Sequence, residues 1–234
     1  MKGGSVFKEW NSWWVSICTM IIGSLIVFFL FRYNMQGYCI WSTGKYRSSY
    51  SWEEYLLVNT TFLLFLPVLT IHLFYREEPG LFGLKPSEND ASRIALYFFL
   101  FMLPLLFAAS RFPVFRSYYP IQKEAIYSVP YFLYFEITYG FYLFCWEFFF
   151  RGFLTFGLER KLGVYAAIGI QALAFCLMHW TKPMPEVIGS FAAGIALGWL
   201  ALRGKSIMPG FLIHWFISIL FDILAIHGNH GAIF

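Results

Sequence analysis

Apolar residues in this chain do not alternate with polar ones; they come in long runs. Seven runs, roughly 11–31, 54–75, 92–110, 128–157, 163–180, 186–202 and 207–226, are separated by short polar breaks. A helix needs about 20 mostly apolar residues to cross the hydrocarbon of a bilayer. In lipid, a helix is the form in which one segment satisfies its own backbone hydrogen bonds. The pattern predicts an all-α fold, a polytopic transmembrane helical bundle of about seven spans, six to eight. The fourth run is long enough to tilt or to extend past the bilayer, and the fifth and sixth are short. Arg76 to Gly80 stops the second run, and Gly83-Leu84-Lys85-Pro86 reads as an interfacial turn. Lys182-Pro183 with Pro185, and Arg203-Gly204-Lys205, separate the last three. The uncharged stretch Trp10 to Phe31, preceded by Lys2 and Lys8, is longer than a signal-peptide core and is followed by no A-x-A site, so it reads as a retained first span.

Composition strengthens this picture. Of 234 residues, 59% are hydrophobic and only 13% charged, against about 25% charged in a soluble domain. The 29 Phe suit lipid-facing helices. A net charge of +4, scattered along the chain, gives no footprint for nucleic acid. Lys and Arg instead bear on orientation. With the N-terminus inside, the inner segments hold Lys2, Lys8, Arg76, Lys85, Arg93, Arg160, Lys161, Arg203 and Lys205. The outer ones hold Arg32, Lys45, Arg47, Arg111, Arg116, Lys123 and Lys182. The small excess favours N-terminus inside and C-terminus outside. Cys18, Cys39, Cys145 and Cys176 show no metal-knuckle spacing, and three of them sit in apolar runs as small hydrophobes.

Ionisable residues inside a span are expensive and are functional candidates by default. The first half has only His72, near the end of the second run. The second half has Glu136, Glu147, Arg151, His179, His214 and Asp222. This asymmetry divides the chain into a scaffold of about three spans over 1–124 and a working core over 125–234. Glu147 and Arg151, at i and i+4, share a helix face. They read either as a structural ion pair or as a working carboxylate oriented by its arginine. Glu136 lies three turns before Glu147, on nearly the same face; it reads as a second polar group in the same cavity or, slightly better, as an interfacial residue nearer the other side. One Glu and two His are a known ligand set for catalytic zinc. The same residues can also work without metal, Glu147 as base on water and the histidines holding the oxyanion. A thiol nucleophile, Cys145 or Cys176, also stays open, and Cys176 lies three residues before His179.

At these residues the sequence resembles the CAAX-protease and bacteriocin-immunity (Abi, CPBP) family of intramembrane proteases. The family's E-E-x-x-x-R block is matched by Trp146-Glu147-Phe148-Phe149-Phe150-Arg151, followed by Gly152-Phe153-Leu154. F-x-x-x-H is matched by Phe175 to His179, and H-x-x-x-N/D in part by His214 to Ser218. The Gly-rich stretch 189–198, Arg203 and Ser206 also fit, so the likeness covers about residues 125–226. It implies an endopeptidase in a lipid bilayer, at the bacterial cytoplasmic membrane, cutting a membrane-associated peptide or protein. Its implied site residues are Glu147, His179, His214 and Arg151, with Glu147 activating water. A divalent metal such as zinc, if used, would sit on Glu147, His179 and His214. Two positions depart from the pattern. The family's first glutamate is Trp146, and its Asn or Asp is Ser218; Asp222, eight residues after His214, lies about 80° round the helix. An inactive member that binds a peptide, as an immunity protein would, is the alternative. Full-length spans would also put His179 near the outer surface and His214 near the inner one, many ångströms apart.

Overall fold

The computed structural model describes the backbone of residues 3–42 and 50–230 and the side chains of residues 12–35 and 50–228. Lys2, Lys8, Cys39, Lys45 and Arg47 lie outside the described side chains, so the parts of the orientation and cysteine readings that rest on them have no structural counterpart. Eight helices are present among the described residues, and no strand: α1 (Gly3–Ser42), α2 (Trp52–Tyr75), α3 (Ala91–Ala109), the short α4 (Pro113–Tyr118), α5 (Val129–Leu162), α6 (Val164–Met178), α7 (Met184–Gly204) and α8 (Met208–His230). Six of them are long and apolar enough to cross a membrane, and α6, with 15 residues, is shorter. The protein is an integral membrane protein with an all-α bundle, and each of the seven apolar runs has become a helix.

Local chemistry explains where the helices begin and bend. Ser51 caps α2 reciprocally with Glu54: Glu54 N–H donates to the Ser51 hydroxyl (3.1 Å) and Ser51 N–H to Glu54 Oε2 (2.8 Å). Ser128 caps α5. Pro67, which has no N–H to give, follows a π-helical stretch at Thr61–Phe65.

The helices run back and forth between two surfaces. At the proximal one, where α1 starts, the 76–90 loop is tied to the end of α7. Glu88 N–H donates to Gly204 O (2.8 Å), and Arg203 donates to both Asp90 oxygens (2.8 and 3.1 Å). Lys85 and Lys205 both pair with Glu88, which holds its carboxyl down to about 2. At the distal surface Arg116 donates to Gly228 O. Small residues let helices approach closely, as packing in lipid favours. A Cβ on Gly157 would lie 2.3 Å from Thr19 Oγ1 of α1, and one on Gly194 2.9 Å from the Ala172 backbone of α6. Phe148, Phe149, Phe150 and Phe153 of α5 are fully buried, in one cluster with Val15 and Leu30 of α1 and Leu63 and Ile71 of α2. His72, the scaffold's one ionisable candidate, is exposed.

Candidate active site

Glu147 stands in the middle of α5, immediately before a seven-residue π-helical stretch, Phe148–Leu154. Such wide turns recur at functional sites. The Thr155 hydroxyl donates to Phe150 O at 2.7 Å within it. Arg151, one turn on, brings its Nε to 3.3 Å from Glu147 Oε2, both side chains being wholly buried. From α8, His214 brings Nδ1 to 2.8 Å from Glu147 Oε1. The Glu147 carboxylate is thus held from both sides.

The hydrogen bonds also fix the imidazole tautomers. A carboxylate accepts, so His214 Nδ1 carries the proton and Nε2 offers its lone pair. His179 Nδ1 lies 2.8 Å from Phe175 O, and a carbonyl can only accept, so the same holds there. In their neutral forms both rings therefore present a proton-accepting Nε2.

The expected separation of the two histidines is absent. Helix α6 is only 15 residues long, about 22 Å at 1.5 Å per residue, so it ends short of the distal surface and leaves His179 within the bundle. His179 and His214 both pack against Phe175, with ring centroids 4.3 and 6.1 Å from it. Phe175 also carries the Arg151 guanidinium on its face at 3.9 Å. Trp146 sets its ring edge to face with His179 at 5.5 Å. Its indole N–H is buried with no acceptor, as are the two terminal guanidinium nitrogens of Arg151. Glu147, Arg151, His179 and His214 therefore share one aromatic-walled site.

Residues that sequence reasoning gave no role complete it. Phe175 was visible only as the first letter of its block, and Trp146 only as a departure. Gly210 had no signal at all; a Cβ there would lie 3.3 Å from Glu147 Oε2. Ser218 is half-buried and makes no hydrogen bond among the described residues. Neither thiol stands ready as a nucleophile: Cys145 faces Thr60 (3.9 Å), and Cys176 donates to Val187 O (3.2 Å). The zinc set does not fit. Among the described residues no three of His, Cys, Asp and Glu converge as ligands, and His214 turns its protonated nitrogen to Glu147.

Glu136 is not interfacial. It is buried, as is Asp222 of α8, and the two carboxyls are neighbours. No donor reaches either Glu136 oxygen or Asp222 Oδ1, and two buried carboxyls this close coexist where one of them keeps its proton. The turn after His179 makes a polar rim. Lys182 Nζ donates to the Tyr119 hydroxyl (2.6 Å), which donates to Glu186 (2.7 Å). Burial opposes the Lys182 ammonium, but Glu186 and Tyr119 outweigh it and keep its pKa well above the usual lysine value.

The second half of the chain, which holds these helices and blocks, is similar to one known family. Residues 125–220 match the Rce1-like type II CAAX prenyl endopeptidases. The match bears out the resemblance read from the sequence and covers Glu147, Arg151, Phe175, His179, His214 and Ser218. No curated protein and no solved structure matches the chain. The Rce1-like segment begins just before α5 and ends within α8, so α1 to α4 lie outside it.

Proposed function

We propose that the protein is an intramembrane endopeptidase in which the Glu147–His214 pair activates water. The observation that carries this reading is the 2.8 Å contact between Glu147 Oε1 and His214 Nδ1, on a carboxylate already held by Arg151. His214 Nε2 takes a proton from water, and the hydroxide oxygen bonds to the scissile carbonyl carbon. Glu147 balances the charge of the imidazolium, as a buried carboxylate does for a catalytic histidine. The unpaired N–H groups of Trp146 and Arg151 supply donors for the oxyanion, a role the lone pair on His179 Nε2 does not suit. His179 orients the water by accepting its second hydrogen. Collapse breaks the C–N bond, and the His214 proton passes to the leaving amine. The substrate is a peptide held at the membrane. The family's name points to a prenylated C-terminal segment, residues 1–124 are the scaffold, and the proximal surface faces the cytoplasm.

The test is cleavage of a prenylated CAAX peptide by protein reconstituted in vesicles. Glu147→Gln and His214→Ala are each expected to lower kcat by about 10²-fold or more. Full cleavage by either variant overturns the reading. A non-catalytic peptide binder is the second reading, favoured by Trp146, which fills the family's first glutamate position and packs against His179. It predicts that Glu147, His179 and His214 all tolerate alanine without loss of phenotype.

A further inference from the structure

The proximal surface carries a cavity of about 530 Å³ at the ends of α5 and α7, apart from the residues around Glu147. Its size falls in the range of small-molecule sites, about 300–1,000 Å³. Lys85, Arg203 and Lys205 line it. Each ammonium spends one donor on Glu88, at 2.6 and 2.9 Å, and retains others. Arg203 gives Nε and one amino group to Asp90 and keeps its second amino group free of that pair. Glu159 lines the same cavity and forms no ion pair among the described residues. The remaining wall is apolar and outward-facing: Leu81 is 59% exposed and Trp199 40%. Trp199 lies one turn inside Arg203 on the same helix face, with the Arg203 guanidinium 5.5 Å from its ring.

Cations, one unpaired carboxylate and an apolar wall thus meet where spans leave the membrane. A soluble anion would use only the first of these. A purely anionic headgroup would leave Glu159 facing negative charge, and a choline headgroup has no N–H for it. We propose that this cavity binds a glycerophospholipid with a phosphoethanolamine headgroup. The phosphate sits on Lys85, Arg203 and Lys205, the primary ammonium on Glu159, and the glycerol and upper acyl chain on Trp199 and Leu81. Basic pockets between helix ends are a recurrent way to hold lipid headgroups.

The experiment titrates the full chain in mild detergent with short-chain lipids of matched tails. Their headgroups are phosphoethanolamine, phosphocholine or phosphoglycerol, and binding is read by native mass spectrometry. Phosphoethanolamine lipid is expected to bind roughly fivefold more tightly than either other lipid, the worth of one interfacial charge contact. Glu159→Gln should remove that preference and leave phosphate-dependent binding in place. Lys85→Gln with Lys205→Gln should weaken all three lipids. Glu159→Gln breaks no ion pair, and its unfolding midpoint checks the fold. Equal binding of the three lipids to the wild type, or an unchanged preference in Glu159→Gln, overturns the proposal. Free phosphoethanolamine binding as tightly as the lipid would also overturn it, because the ligand would then be a soluble phosphate compound.

Discussion

Helices α5 and α8 meet over two polar clusters that solve one problem in opposite ways. Around Glu147 the charges are of opposite sign: a carboxylate between a guanidinium and an imidazole. Three turns away along α5, Glu136 faces Asp222, and two carboxyls coexist only where one keeps its proton. The first cluster leaves donors and lone pairs unspent, on Trp146, Arg151 and both Nε2 atoms. The second uses its one proton to let two acids coexist. Unspent hydrogen-bonding capacity in a confined space is what chemistry on a substrate needs, so the first cluster is the one the proposed function uses, while the second joins the helices.

The largest test of this contrast removes one partner from the first cluster. Glu147→Ala leaves Arg151 buried and unpaired, and is expected to destabilise the fold by about 3–5 kcal/mol in denaturant unfolding in micelles. Glu147→Gln should cost less, because its amide oxygen can still accept from His214. Between the clusters lies Gly140, where a Cβ would come within 2.3 Å of Trp215; the Trp215 indole N–H donates to Glu136 O at 2.9 Å. Gly140→Ala pushes α8 off α5 and should cost about 1–3 kcal/mol, read in the same assay. Asp222→Asn is expected to change stability by no more than about 1 kcal/mol, since an amide N–H can donate to Glu136 in place of the retained proton. A loss as large as that of Glu147→Ala would erase the difference between the clusters.

The smallest effect lies outside both, at Glu88. Its carboxyl sits at about 2 in the fold, below its ordinary 4.5, through Lys85 and then Lys205. A folded value below the unfolded one means stability that is present above 4.5 and lost as pH falls through about 2. Hydrogen exchange of the 83–90 loop should therefore rise over that interval while the α5–α8 core stays protected.

Most of the fold was legible, because lipid imposes a length and a polarity on each span that short-range composition records. Residues such as Arg76, Lys182-Pro183 and Arg203-Gly204-Lys205 mark the turns in plain view. Glu147 and Arg151 were legible as partners because i, i+4 spacing is local. The position of His179 is not legible, because a full-length span would carry it to the outer surface and the end of α6 depends on tertiary packing. The pairing of Glu136 with Asp222 joins residues 86 positions apart on different helices, and no local pattern reports it. Phe175 looked like one apolar residue among many, and its central position follows only from the helix directions.

A helix of fifteen residues also sets the membrane around it. Hydrocarbon about 30 Å thick exceeds the length of α6 by about 8 Å. Lipids along its exposed Leu173 and Leu177 must thin, or water must fill the gap beneath the Lys182 turn. Either way the bilayer would dimple over His179 from the distal side, and on the proposed reading that dimple is the route by which water reaches Glu147 and His214. On that reading acyl-chain length would govern the supply of water: a thicker membrane would close the dimple with no change in the protein.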